Sequence, residues 1–556
     1  MVTPLETLRD VLSAPRRHAA LPRAALGQLA ADLAVSDPRA VEELLAVVVA
    51  ARDEAGPSHD ETRSPRDTTG SPRDEAADAL VDTVLDAVLA RLWQRPPSST
   101  GPSSAGSPTS AASAAVAPDG RWSPQLVDAV SRAYRRLGPH CRPRHHLLRA
   151  LAQQASEPAL AAFAELLASD PPARAEEIDL ACVPLFQRPK YPAEALFPRL
   201  LEAVTNPAAA AIALDLANHV TRRGLVREHP AQARVDQLAA LLGALVGELG
   251  RLEEHPDEYA RDALELARRV GQGVQLAVSL CDSLALIGQP RVTPCLHQAL
   301  ALGHRRLRTE AAAALVRLGD DAGLDVLVEM AAEPAARCRA LAYLAELDHI
   351  DRVDDLYRSP RALAEGQLAA WLTERAGLGL APSQIEYLDE RRLRWPGYEE
   401  PVDCYLFRFV YHLPGGELTG IGIAGPIVYW IRATLEHLSL DELYALYAGW
   451  CVEHPQIREV AAHALAPAAR ERIEPQLARL RAEGLRDVEL VKVGDFFGER
   501  LPVVSAWRRD QQGTVVLDPE RTCWYPSGGG PRPLGPGEAY FIHIGRKLLG
   551  AFNPVG

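Results

Sequence analysis

The chain has 556 residues, with 60 Lys and Arg against 73 Asp and Glu, a net charge of −13 at pH 7. Hydrophobic residues reach 47%, which excludes a wholly disordered chain, because enough apolar surface is present to offset the entropy of ordering. The length exceeds one ordinary core, so several domains or one extended repeat array are expected, and the acidic surface disfavours nucleic acid as the main partner.

Residues 1–93 read as an N-terminal helical segment. Two short helices precede Glu54, with a break near Ser36-Asp37-Pro38. A polar stretch at about 54–73, with Gly56-Pro57, Ser64-Pro65 and Ser71-Pro72, is expected to be a disordered loop. Ala77, Leu80, Val81, Val84, Leu85, Val88, Leu89 and Leu92 then recur at helical spacing. Residues 94–120, opened by Arg95-Pro96-Pro97, form a Ser/Pro/Ala-rich tract that reads as a flexible linker. The opening residues lack a basic stretch followed by an apolar core, so no secretory signal is expected.

From 121 to 384 the pattern is helical and is punctuated by prolines. Leu284-Ala285-Leu286-Ile287-Gly288 with Leu296 returns 31 residues later as Leu315-Val316-Arg317-Leu318-Gly319 with Leu327. A third copy, Leu344-Ala345-Glu346-Leu347-Asp348 with Leu356, follows after 29 more. Ala-rich stretches at 311–314 and 335–340 would let neighbouring helices approach closely, and a Leu/Ile-Gly or Leu-Asp pair ends the first helix of each copy, Gly tolerating a left-handed C-cap. On these residues, with Leu318-Gly319-Asp320-Asp321 the best match, the segment resembles the HEAT family of helical repeats. The resemblance implies stacked antiparallel helix pairs and an extended protein-binding surface.

Residues 385–556 differ in kind. Of 31 aromatic residues, 20 lie between Tyr387 and Phe552. The run 405–411 and the run 417–423, joined by Pro414-Gly415-Gly416, spell a β-hairpin. Helices are predicted at Ile427–His437 and Leu440–Cys451, the second with Ser439 and Glu442 as a capping box, and a charged helix at Glu471–Glu483. Strands are predicted at Val488–Val493, Val503–Trp507, Thr514–Leu517 and Ala539–Ile544. The stretches 420–426, 496–500 and 540–549 resemble the tail of a group of bacterial HEAT-repeat proteins, a likeness that implies domain architecture and no particular reaction.

Candidate contacts form three groups. Arg142, Arg144 and His145 make a local basic patch suited to an anion or an acidic partner. Arg391, Arg394 and Trp395 combine charge and a large ring, as interface anchors or an inter-domain seam would. Gly420, Gly422 and Gly425 formally spell GxGxxG, but the strand before them belongs to a hairpin and not to a βαβ unit, so packing of strand against helix is the expected role. With them stand His543 and Arg546 as polar groups that would converge if the C-terminal domain held a ligand. Cys451 with His454 falls short of a zinc set, and Cys404 with His412 or Cys451 with His543 are nucleophile pairs only if the fold joins them. Eight scattered cysteines with no CxxC read as free thiols of a reducing compartment, and the cytoplasm is expected.

The reading is therefore a mainly α protein: a HEAT-like α-solenoid followed by a smaller C-terminal α+β domain. No catalytic motif is spelled, which leans the reading away from an enzyme. No cofactor or metal is expected, the partner is another protein, and no long uncharged apolar run calls for a membrane. The alternative is that the C-terminal domain is a small-ligand or enzymatic module positioned by the repeats.

Overall fold

The computed structural model describes residues 45–46, 85, 122–139, 141–255, 263–374, 380–413 and 416–553. The two helices expected before Glu54, the loop at 54–73 and the linker at 94–120 lie outside these, apart from helical Leu45, Ala46 and Leu85. Leu45 and Leu85 are buried in the first core cluster. The chain divides into two compact units, Met1–Gly323 and Leu324–Gly556.

The first unit is helical. Its helices are α1 (Pro124–Leu137), α2 (His145–Gln154), α3 (Glu157–Ser169), α4 (Ala175–Gln187), α5 (Ala210–Arg222), α6 (Val235–Glu254), α7 (Ala263–Ile287), α8 (Thr293–Leu300) and α9 (Arg305–Arg317). Among the described residues its buried apolar side chains gather in two successive clusters. α5 is shared between them, giving Ile212, Ala213 and Leu216 to one and Leu214 and Ala217 to the next. α5 thus buries different flanks in different clusters, as a helix inside a repeat stack does. α7 packs against α5, α6 and α9; it is long and apolar enough to cross a membrane by composition, a property it shares with core helices. Ala311 to Ala314 on α9 are fully buried, and these small side chains set a short helix–helix spacing.

The repeat signal has a geometric counterpart. α7 closes at Gly288 with φ +74° and α9 at Gly319 with φ +82°. The Gly288 amide donates to the Leu284 carbonyl at 3.2 Å and the Asp320 amide to that of Leu315 at 2.9 Å. Following α10 (Ala322–Ala332), α11 (Pro334–Glu346) closes the same way at Asp348, φ +60°, with the His349 amide on the Leu344 carbonyl at 2.7 Å. These are left-handed caps that satisfy carbonyls orphaned at a helix end. The third copy differs beyond its cap. Its second helix shrinks to Asp355–Arg358, and Leu356 is 57% exposed where Leu296 and Leu327 are buried.

The second unit continues with α12 (Pro360–Glu374), then β1 (Gln384–Leu393), β2 (Val402–Leu413), β3 (Gly416–Ala424), β4 (Tyr429–Trp430), α13 (Leu440–Cys451), β5 (Ile457–Ala461), α14 (Pro467–Ala482), β6 (Leu485–Phe496), β7 (Glu499–Arg508), β8 (Gln511–Leu517), β9 (Thr522–Pro526) and α15 (Pro536–Phe552). β1 to β4 form one antiparallel sheet and β5 to β9 another, each in sequential order. Strand alternation assigns the faces. Tyr405, Phe407, Phe409 and Tyr411 pack with Leu368 and Leu372 of α12, whereas Cys404 and Leu406 join α13. In the second sheet Val503 and Val516 face α13 and α15, whereas Val504 and Val515 face Ile473, Leu477 and Leu480 of α14. The layers therefore run α12, sheet, α13 with α15, sheet, α14, and a period of two in side-chain direction is the cause.

Two predicted elements are corrected. Ile427–His437 is not a helix: Tyr429 and Trp430 pair with Ile423 and Gly422 of β3, and tight turns follow. The aromatic and β-branched run 427–431 suits a strand better than a helix. Conversely, Ala539–Ile544 belongs to α15. Pro536 occupies its first turn and Glu538 accepts from the Gly535 amide at 3.0 Å. The helix is buried between α13 and a sheet, so apolar residues occupy several of its sides and its 3.6-residue period is masked. The capping box of Ser439 and Glu442 is present as read. The edge strands β1, β5 and β9 and the start of the second unit at Leu324 had no signal of this kind.

Candidate functional site

The candidate residues scatter, and several are engaged internally. Arg144 is fully buried and does not face a partner, a correction to its reading as a surface anion contact. Its guanidinium donates to Asp170 Oδ2 at 3.1 Å and to the Pro171 carbonyl at 2.5 Å, and lies 4.4 Å from the Tyr134 ring centroid. A charge taken from water is tolerated only when paired in this way. Arg142 lies in the short turn Arg142–Arg144, and His145 opens α2 with its ring 4.2 Å from that of His146.

Trp395 is 1% exposed, and its Nε1 donates to Cys451 Sγ at 3.1 Å, so the ring is a seam inside the second unit. Arg391 bridges Asp389 at 2.9 Å and Asp441 at 2.6 Å over the Tyr444 ring. Arg394 is exposed, its backbone amide held by Asn553 Oδ1 at 2.8 Å.

The three glycines are packing positions. Gly420 and Gly422 lie on the α12-facing side of β3. A Cβ on Gly420 would come 2.5 Å from Phe409 Cζ, and one on Gly422 2.9 Å from Leu368 Cδ1. Gly425, with φ +123°, would bring a Cβ 2.1 Å from the Asp403 carbonyl oxygen. There is no room for a pyrophosphate, and the helix they pack against is α12, which precedes them. Nor does the fold join the nucleophile pairs. Cys404 and His412 are eight residues apart on β2, roughly 27 Å at ~3.4 Å per residue. Cys451 bonds the Ala448 carbonyl at 3.4 Å, whereas His543 faces Asp518. Among the described residues no three metal-ligating side chains gather.

His543 belongs to a buried chain of polar groups. Its Nε2 lies 2.9 Å from Asp518 Oδ2 and its Nδ1 3.1 Å from the Tyr525 hydroxyl. Lys547 donates to the same Asp518 oxygen at 2.9 Å and also to Glu499. Burial pushes the Asp518 carboxyl up, but hydrogen bonds from Lys547, the Glu520 amide and His543 hold it at about 2. Burial pushes the His543 imidazole down against the pull of Asp518. The ring is thus neutral beside a carboxylate, which assigns Nε2–H as donor and Nδ1 as acceptor of the Tyr525 proton. Arg546 pairs with Glu442 at 2.8 Å and completes the link from α15 to α13. These groups fasten α15 to the second sheet and to α13. A polar cleft of about 320 Å³, with Arg479, Arg500 and Thr522 in its lining, touches the network only at Asp518.

A cleft that no sequence motif marks lies elsewhere in the second unit. It encloses about 450 Å³ and is half open, lined by Trp371 of α12, Tyr429 and Trp430 of β4, Trp450 at the end of α13 and Phe541 of α15. Arg432 and Glu538 contribute its charges. Tyr429 and Trp450 stack at 3.7 Å with planes 15° apart, and Trp371 meets Tyr429 edge-on at 5.3 Å. Trp450 remains 36% exposed. The rings meet because α13 and α15 cross closely: a Cβ on Gly449 would come 2.0 Å from the Phe541 carbonyl oxygen, and one on Gly545 1.8 Å from that of Ala445. The available signal was the concentration of aromatics after Tyr387, although Trp371 precedes that span.

Comparison with known proteins adds one family. Residues 274–345 match the family model for HEAT repeats. No curated protein and no solved structure was found to match. The matched span covers most of α7 and runs through α11, the helices whose ends carry the left-handed caps. Residues 274–345 are accordingly HEAT-like repeats, within a helical solenoid that an α+β region follows in the chain.

Proposed function

We propose that the chain is an interaction protein whose HEAT-like solenoid surface holds another protein, acting as a scaffold or adaptor. The observation that carries this reading is the repeat match at 274–345, since stacked repeats make extended surfaces in which each unit contacts only its neighbours. Division of the first unit's core into two clusters sharing α5 supports it. The alternative of a small-ligand or enzymatic C-terminal module draws no support from Gly420, Gly422 and Gly425, which are enclosed by Phe409, Leu368 and Asp403.

The test is affinity capture with the full chain from an extract of the cells that make it, followed by cross-linking and mass spectrometry. The expected result is a stoichiometric protein partner whose cross-links concentrate within 274–345. Capture of no stable partner, or cross-links confined to other parts of the chain, would refute the solenoid as the docking surface.

A further inference from the structure

We infer that the polar cleft at the end of the second sheet binds a small hydrophilic molecule carrying one carboxylate and several hydroxyls. The inference concerns a different surface from the solenoid and does not rest on that reading.

Placement is the first argument. Gln476, Arg479 and Leu480 lie three and four residues apart on α14 and so share one face. Arg500 is on the same face of β7 as Val504, which packs against α14. Leu517, Pro519 and Thr522 come from the ends of β8 and β9 and the turn between them, where the Asp518 amide donates to the Arg521 carbonyl at 3.0 Å. The cleft, about 320 Å³, is thus framed by a helix, a strand and a tight turn. Its size falls at the small end of the roughly 300–1,000 Å³ typical of ligand pockets.

Charge is the second. Among the described residues in the lining, Asp518 is the one acid, and strand alternation directs its carboxylate away from α14. Its Oδ2 accepts from His543 and Lys547 of α15 at 2.9 Å, and its Oδ1 from the Glu520 amide at 3.0 Å. Glu499, which shares Lys547, is on the far face of β7. Arg479 gives its Nε to Glu483 at 2.9 Å, an exposed pair. Asp495 lies in register between Arg458 and Arg500 and forms an ion pair with neither. Lys547 thus matches Asp518, Glu483 matches Arg479, and Asp495 offsets one of its two flanking arginines. One positive charge is left over at the cleft, which suits a monoanion. The fork of a guanidinium fits the two oxygens of a carboxylate.

Hydrogen-bonding capacity is the third. The side chains of Arg500, Gln476 and Thr522 have no partner among the described residues. The amide and the hydroxyl each donate and accept, as the hydroxyls of a ligand do.

The experiment follows sodium gluconate by saturation-transfer NMR with the full chain at fixed ionic strength. Sorbitol, with the same carbon chain and no carboxylate, is the comparison probe. Gluconate should bind saturably and sorbitol should not. Arg500→Gln should weaken gluconate binding at least about tenfold. Arg500→Lys keeps the charge, loses the fork and should fall between the two. Arg508→Gln, on the same strand and outside the cleft, should change nothing. Arg500 and Arg508 are exposed, so the unfolding midpoints should stay close to that of the parent chain. If Arg500→Gln does not fold, Arg500→Lys set against Arg508→Gln carries the test. Absence of saturable gluconate binding, equal binding of sorbitol, unchanged affinity in Arg500→Gln, or tighter binding of inorganic phosphate would overturn the proposal.

Discussion

Replacing Gly545 by alanine tests the packing that builds the aromatic cleft. A Cβ there would lie 1.8 Å from the Ala445 carbonyl oxygen and 2.9 Å from the Gly449 amide nitrogen. Ordinary contact with an oxygen needs well over 3 Å, so α13 and α15 must part by more than about 1 Å in a close-packed interior. Overpacking of this kind costs roughly 1–3 kcal/mol and occasionally more. Because both helices lie between the two sheets, both sheets share in the misfit. With a clash this short placed at the upper end, ~3 kcal/mol, and alanine returning up to ~1 kcal/mol of helix propensity, the net loss is about 2 kcal/mol. Gly550, on the same helix, has nothing within 4 Å of its Cβ position and is exposed. There the same substitution keeps only the propensity gain. For a unit of this size each kcal/mol shifts Tm by roughly 2–4 °C. Gly545→Ala should therefore melt about 4–8 °C lower and Gly550→Ala slightly higher. Tryptophan fluorescence is a suitable assay, since six of the eight tryptophans lie after Leu324. Shifts of the same sign and size in the two variants would refute the close crossing.

Acidification should destabilise the second unit in two windows. His543 has a folded pKa below its usual value near 6.5, so the unfolded chain takes up a proton the folded one declines, and stability falls as pH drops below about 6.5. Asp518, held at about 2 against an ordinary 3.8, adds a contribution of about 2 kcal/mol that is present above pH ~4 and lost toward pH ~2. His543→Gln should flatten the slope between pH 6.5 and 5 in urea titrations; an unchanged slope would show that the imidazole is not the group responsible. Arg144→Ala removes the cation from a pair in which it is fully buried and Asp170 is 30% exposed. The expected cost is about 2–3 kcal/mol, below the range for pairs buried on both sides. Arg199→Ala, breaking an exposed pair with Glu165, should leave the denaturation midpoint nearly unchanged.

Legibility in the sequence followed how local each signal was. Ser439 and Glu442 lie three residues apart and act on one helix turn, and their capping box formed as read. The Gly288, Gly319 and Asp348 caps are equally local, each serving the carbonyls of its own helix. β2 and β3, joined by a short turn with alternating side chains, were readable as a hairpin for the same reason. Ala539–Ile544 was misread because a helix enclosed on several sides loses the polar face that marks its period. Arg144 looked like surface charge because its partner, Asp170, is a tertiary neighbour 26 residues away.

The candidate site divides along the same line. Sequence by itself determined the acidic balance, the helical repeat with its caps, and the concentration of aromatics in the last third of the chain, since each is a property of composition or of neighbouring residues. Tertiary structure alone decided that Gly420 and Gly422 make room for Phe409, Trp430 and Leu368 and not for a phosphate. It also decided that Trp371, Tyr429, Trp450 and Phe541 line one cleft. Those four come from α12, β4, α13 and α15, and the alternation of strand faces and the Gly449–Gly545 crossing bring them to one cleft although Trp371 and Phe541 lie 170 residues apart in sequence.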